Sequence, residues 1–139
     1  MQSDTNQLGY QVESPDRKFF TLEEANRALP YVSRIAGDIR DVYAEIRELQ
    51  FDLDANDLAD DFEQKQSELQ ELSDRLNGFA QELWEIGVEL KDCEKGLLDF
   101  PALREGREVY LCWRLGESEI VAWHEIHAGF MGRREIATF

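Results

Sequence analysis

The chain has 139 residues, 42% of them hydrophobic and 11% aromatic, with 30 acidic side chains against 15 lysines and arginines. That is enough apolar material for one folded domain, too little length for two ordinary ones, and not the composition of a disordered chain. A net charge of −15 repels phosphate backbones and anionic lipid, which argues against nucleic acids and membrane surfaces as partners.

The charge is unevenly spread. Residues 1–95 carry 10 Lys/Arg against 23 Asp/Glu, and residues 96–139 carry 5 against 7. No apolar run approaches the ~20 residues of a membrane span, and the N-terminus lacks the basic-then-apolar pattern of a signal peptide. Two cysteines, Cys93 and Cys112, are too few for a disulfide framework and fit a reducing, cytoplasmic setting.

In chain order, residues 1–16 are polar without a sustained period and read as a flexible terminus. "FTLEEANRALP" then opens the fold. Thr21 followed three residues later by Glu24 is a capping box, with Phe20 just outside it. Pro30 removes a backbone donor and disfavours helical geometry at Leu29. The expectation is a short helix over about 22–28, then a new or kinked helix from Pro30 to about Gln50. Val32, Ile35, Ile39, Val42, Ile46 and Leu49 alternate at spacings of 3 and 4 and form one apolar seam. The same spacing resumes at Leu69 and runs through Leu72, Leu76, Phe79, Leu83, Ile86 and Leu90. It predicts a second helix over about 58–94, closed by Lys95-Gly96. Two seamed helices joined by a polar loop fold back as an antiparallel hairpin. The second helix is the longer one on this reading, so its far half needs a cover. The 22–28 segment, the C-terminal region or a second copy of the chain can supply it.

The joining loop, "DLDANDLADDFE" at 52–63, aligns with a twelve-residue calcium loop. Asp52, Asp54, Asn56, Asp60 and Glu63 fall at its positions 1, 3, 5, 9 and 12. Asp57 stands where the sharp turn wants glycine, and Ala59 where a bulky aliphatic residue is usual. The ordinary alternative is an acidic solvated turn in which Asp60 or Asp61 caps the second helix.

Beyond Gly96 the period changes to that of strands. "REVYLCWRLG" and "SEIVAWHEI" are β-branched and aromatic runs on either side of Gly116-Glu117, the pattern of a β-hairpin. Leu97, Leu98, Phe100 and Pro101 lead in as an edge strand, and "AGFMGRREI" follows as a turn and closing strand. A two-residue turn at Gly116-Glu117 sets Val109 opposite His124 and puts Cys112 and His124 on opposite faces. A three-residue loop sets Trp113 opposite Val121 and Tyr110 opposite His124. The second register segregates apolar from polar more cleanly. Val109, Leu111, Trp113, Val121 and Trp123 then make a core face. Tyr110, Cys112, Arg114, Ala122 and His124 make a polar face whose charged groups reach solvent.

Cys112, His124 and His127 raise zinc binding or a thiolate–imidazole pair as possibilities. No paired Cys-x-x-Cys is present, and residues three apart on a strand, as His124 and His127 are, point to opposite faces. The bland alternative is an amphipathic sheet with a buried free cysteine. Arg133-Arg134 suits either an anion or pairing with the acidic helices, and the second is preferred.

Five motif elements carry a family resemblance: G-L-x-D-F-P at Gly96 to Pro101, G-R-E-V at Gly106 to Val109, L-C-W-x-L-G-E at Leu111 to Glu117, W-H at Trp123-His124, and G-F-x-G-R at Gly129 to Arg133. With "FTLEEANRALP" they make residues 19–136 resemble an uncharacterised prokaryotic family, domain of unknown function 2203. The resemblance implies a helical hairpin with a C-terminal β module and no assigned activity. Family members usually lack a histidine at the place of His127 and vary in the helix-connecting loop. Some carry a loose cell-division-initiation label, which coiled-coil composition alone would attract and which is not carried over.

The sequence thus predicts an α+β protein: a coiled-coil-like antiparallel helical hairpin over 17–95 and a small antiparallel β-hairpin module over 96–139. The expected role is that of a dimeric interaction or scaffold module, partnered by itself or by another protein. No catalytic residue, metal or cofactor is assigned. The alternative is a small-ligand or metal-binding protein, or an enzyme. The candidate ligand- or partner-binding residues are Asp99, Arg107, Tyr110, Cys112, Arg114, Glu117, His124 and Arg133.

Overall fold

The computed structural model describes residues 18–139, so the 1–16 terminus lies outside the described residues. Two helices come first, α1 (Leu22–Ala55) and α2 (Phe62–Ile86). They are followed by strands β1 (Glu89–Asp92), β2 (Leu97–Arg104), β3 (Arg107–Arg114), β4 (Ala122–Glu125) and β5 (Arg134–Glu135), with a short 3-10 turn, Phe130–Gly132, before β5. The strands form one antiparallel sheet in chain order, β1-β2-β3-β4-β5. The α+β class and the helical hairpin are as the seams predict; the β module is a full sheet rather than a hairpin with an edge strand.

The capping box forms as expected. Glu24 N–H donates to Thr21 Oγ1, and Thr21 N–H donates to the Glu24 carboxylate, each at 3.0 Å. Phe20 packs edge-on against Phe100 of β2, with ring centroids 5.2 Å apart. Its N–H donates to the Pro101 carbonyl at 2.7 Å, so the chain is stitched to the sheet where the helix begins.

The helices depart from expectation at three points. First, α1 does not break at Pro30 but runs 34 residues without interruption. Proline in a helix interior costs about 3 kcal/mol, and the flanking turns are held in place from outside. Asn26 Oδ1 accepts from the Ile120 N–H at 2.7 Å, and the Tyr31 hydroxyl donates to Glu82 at 2.9 Å. Ala25, Leu29, Val32 and Ala36 are buried around it while Pro30 faces solvent.

Second, α2 ends at Ile86, eight residues short of the seam-based estimate. Gly87 adopts φ 100°, and Gly87 and Val88 both donate back to the Leu83 carbonyl, closing the last turn. Leu90 keeps the helical spacing but lies in β1, pairing with Leu98. The length mismatch is therefore reversed, with 34 residues in α1 and 25 in α2. The extra turns of α1 pack on the sheet.

Third, the 52–63 calcium loop does not form. Asp52 and Asp54 are still helical, and the connection spans only residues 56–61. Lys65 takes its place, with its ammonium 3.9 Å from Asp52 and 3.5 Å from Asp61. Asp61 occupies the N-cap position of α2 but its side chain makes no capping hydrogen bond.

In the sheet, a two-residue turn at Glu105-Gly106, both with positive φ, joins β2 to β3. β2 is thus an interior strand flanked by β1 and β3, not an edge. Tyr110 pairs with His124 and Leu111 with Trp123, the register preferred from the sequence. The connection is longer than the three-residue loop that suggested it: β3 ends at Arg114, β4 starts at Ala122, and Val121 is 42% exposed instead of joining the core. Leu98, Phe100 and Ala102 of β2, Val109, Leu111 and Trp113 of β3, and Trp123 of β4 form one face. They share a core with Phe20, Ala25, Leu29, Val32, Ile35, Ala36, Ile39 and Leu83. Leu83 is the fully buried residue of α2 in that core. Replacing it with alanine is expected to cost roughly 2–5 kcal/mol, read as a lower urea midpoint at unchanged denaturant slope.

Candidate functional site

The other face of the sheet is polar in composition and buried at its centre, with Glu108 and Arg114 exposed at its ends. Register builds it. Asp99 pairs with Cys112 across β2 and β3, and Cys112 pairs with Ala122 across β3 and β4. His124 lies two pairs further along β4, opposite Tyr110, and its ring reaches back over β3 towards Asp99. Because these residues share pleat parity, all point away from the helical hairpin.

Asp99 is 4% exposed, Cys112 1% and His124 2%. One ligating atom from each lies within 4.8 Å of the other two. His124 Nε2 sits 3.0 and 3.1 Å from the two Asp99 oxygens, and Nδ1 sits 2.7 Å from the Glu125 backbone carbonyl. A carbonyl only accepts, so Nδ1 carries a proton. The Asp99 carboxylate also accepts, which favours the doubly protonated ring. Burial pulls the His124 pKa down, but the hydrogen bonds to Asp99 and to the Glu125 carbonyl outweigh it and hold the pKa above its ordinary value.

Burial pushes the Cys112 thiol up to about 12, and the negative charge of Asp99 adds to the effect. The thiol therefore keeps its proton. A nucleophilic cysteine needs a base to take its proton and a lowered pKa. Here the imidazole is committed to Asp99 and the thiol is shifted the wrong way, so the trio is not an activated-thiol site.

The remaining candidates divide between the rim of this face and surface ion pairs. Tyr110 donates its hydroxyl to Glu89 at 3.0 Å, and the Lys91 ammonium lies 4.7 Å over the Tyr110 ring. Glu117 pairs with Arg133 at 2.9 Å and accepts from the Arg114 N–H at 2.8 Å. The Arg133 guanidinium lies 4.8 Å over the Phe130 ring, with Arg114 on the same ring at 5.9 Å. The 3-10 turn carrying Phe130 therefore rests against this face. Arg133 pairs with Glu117 and not with the acidic helices. Its Nε is buried without an acceptor among the described residues. Arg107 forms a two-pronged pair with Glu125 at 2.7 and 3.1 Å, apart from the trio. His127 is exposed and takes no part.

The candidates thus do not all converge: Asp99, Cys112 and His124 meet, Tyr110, Glu117 and Arg133 frame them, and Arg107 and Arg114 do not join. His124, expected at solvent, is buried among the Glu89 and Lys91 side chains of β1 and the Phe130 turn, whereas Arg114 is exposed as expected. Glu89 and Lys91 were missed as neighbours, since the seam spacing placed them at the end of a helix.

The family profile for an uncharacterised conserved protein, DUF2203, matches residues 18–136. The chain belongs to the DUF2203 family. No curated protein and no solved structure matches the chain. Membership in DUF2203 brings no assigned activity, so the chemistry of the site stands on its geometry. Among the described residues no helix is long and apolar enough to cross a membrane.

The protonation state has a measurable consequence. In chelator-treated protein, His124 binds its proton more tightly folded than unfolded. Its contribution to stability is complete below the unfolded value near 6.5 and is lost as pH rises through the higher folded value. Urea unfolding between pH 6 and 9 is expected to show this loss in the wild type. Asp99→Asn should flatten it.

Proposed function

We propose that the protein is a ligand-binding module, with the helical hairpin as scaffold and the covered face of the sheet as the binding element, and with no catalytic step assigned. The observation that carries this reading is the convergence of three buried ligating groups, Asp99, Cys112 and His124, on one spot. Their burial favours a small ligand over a macromolecular surface as occupant. Beside them, the buried Arg133 Nε has no acceptor among the described residues, a donor that a bound group can use. Two unpaired cysteines fit a reducing, cytoplasmic compartment.

Native mass spectrometry of protein purified without chelator tests the reading. The expected result is a retained mass adduct that Asp99→Asn and His124→Gln lose and Glu119→Gln, distant in role, keeps. A wild-type chain with no adduct, and no thermal shift with divalent cations or small oxyanions at millimolar concentration, would sink it, since binding to the folded state raises Tm by mass action.

Self-association through the hairpin is a second reading, favoured by its far end. Ile46, Leu49, Leu69 and Leu72 are only partly covered there, and Phe51 and Leu58 are 73% and 89% exposed. A dimer would cover that apolar surface. Light scattering across a hundredfold concentration range should give twice the chain mass at the top of the range, and Phe51→Glu with Leu58→Glu should return it to one.

A further inference from the structure

We propose that the occupant of this site is a divalent transition-metal ion of the zinc class, ligated by an Asp99 oxygen, Cys112 Sγ and His124 Nε2. The inference rests on the ligand-site reading above and names its ligand.

The donor set is the first argument. A thiolate, an imidazole and a carboxylate suit zinc, cobalt or ferrous iron, whereas calcium and magnesium select oxygen-only sites. Three protein ligands leave a fourth tetrahedral position for water or an outside group.

Spacing is the second. Two light ligand atoms on one tetrahedral zinc, each ~2.0–2.1 Å from it, stand roughly 3.3 Å apart. His124 Nε2 and Asp99 Oδ2 stand 3.0 Å apart. A few tenths of an ångström opens the pair to admit an ion. The cysteine sulfur lies within 4.8 Å of both and has one χ1 rotation with which to close.

Orientation is the third. A ligating histidine usually donates its other ring N–H to a carbonyl or carboxylate, which fixes the ring and leaves the remaining nitrogen for the metal. Nδ1 of His124 is already given to the Glu125 carbonyl at 2.7 Å.

The test uses the whole chain. Elemental analysis of protein purified without chelator should find about one zinc-class ion per chain. Chelator-stripped protein titrated with cobalt(II) should develop a thiolate-to-cobalt charge-transfer band with tetrahedral visible bands. Cys93→Ser should keep the charge-transfer band and Cys112→Ser should lose it. Asp99→Asn should weaken cobalt binding at least tenfold, with folding of each variant checked by circular dichroism. A folded wild type with no retained metal and no cobalt band overturns the inference, as does a band that survives Cys112→Ser. If Cys112→Ser does not fold, the wild-type and Cys93→Ser spectra decide, since Cys112 is then the one thiol present in both. A non-metal adduct lost in Asp99→Asn overturns the metal but leaves the ligand site standing; neither metal nor adduct overturns both.

Discussion

The register of β3 against its two neighbours is the constraint on which the rest of the molecule depends. Asp99 opposite Cys112 and Tyr110 opposite His124 are the same choice seen on two sides of one strand. A slip of one residue would exchange the faces. Trp113 and Leu111 would leave the core, and Cys112 and Tyr110 would turn towards the helices. The energetic gap is wide, because two fully buried tryptophans, Trp113 and Trp123, lie on the core face, and burying large aromatic side chains is among the strongest terms available to a chain of this size. Both indole N–H groups are also satisfied, Trp113 by the Glu117 carbonyl and Trp123 by the Thr138 hydroxyl, each at 2.8 Å. The aromatic face sets the register, and the register assembles the polar face.

The helical hairpin works on that sheet from one side only. Its N-terminal turns supply Ala25, Leu29, Val32 and Ala36 to the shared core, while the partly covered seam residues beyond Val42 continue away from it. Pro30 shows which link dominates. Local propensity opposes a helix through that position, yet contacts on either side of it, from Asn26 to Ile120 and from Tyr31 to Glu82, keep the helix continuous. Tertiary anchoring overrides a local preference of a few kcal/mol when both flanks are held.

What was legible in the sequence follows the range of the interaction concerned. The capping box involves residues three apart, and it forms as read. The apolar seams are local and periodic, and they place both helices. The preferred β3–β4 register was legible from the sorting of side chains, even though the loop that suggested it is longer. What failed depended on a competition between signals. Leu83, Ile86 and Leu90 keep a helical rhythm, but Gly87 accepts the left-handed geometry that ends the helix, and Val88 then favours a strand. That glycine was the signal available for β1. Asp99 could not be matched to Cys112 without the Glu105-Gly106 turn, where a non-glycine residue takes φ 53°. With β1 absent and β2 placed at an edge, the Glu89 and Lys91 side chains around Tyr110 were missing, and the burial of Asp99 and His124 was beyond reach of the sequence.

That burial bears on what the trio is for. A buried carboxylate–imidazole pair with a thiol beside it is a weak device for stability, because apolar residues of similar volume generally serve as well or better. Fold specificity does not require them either, since the aromatic face already fixes the register. Nor does their chemistry suit covalent catalysis, with the thiol pushed to about 12 and the imidazole turned towards Asp99. What the arrangement does well is hold an oxygen, a nitrogen and a sulfur within 4.8 Å of one another, with the imidazole fixed at its far nitrogen by the Glu125 carbonyl. That mixed set of oriented donors suits a borderline-soft divalent ion better than it suits any task of packing or register.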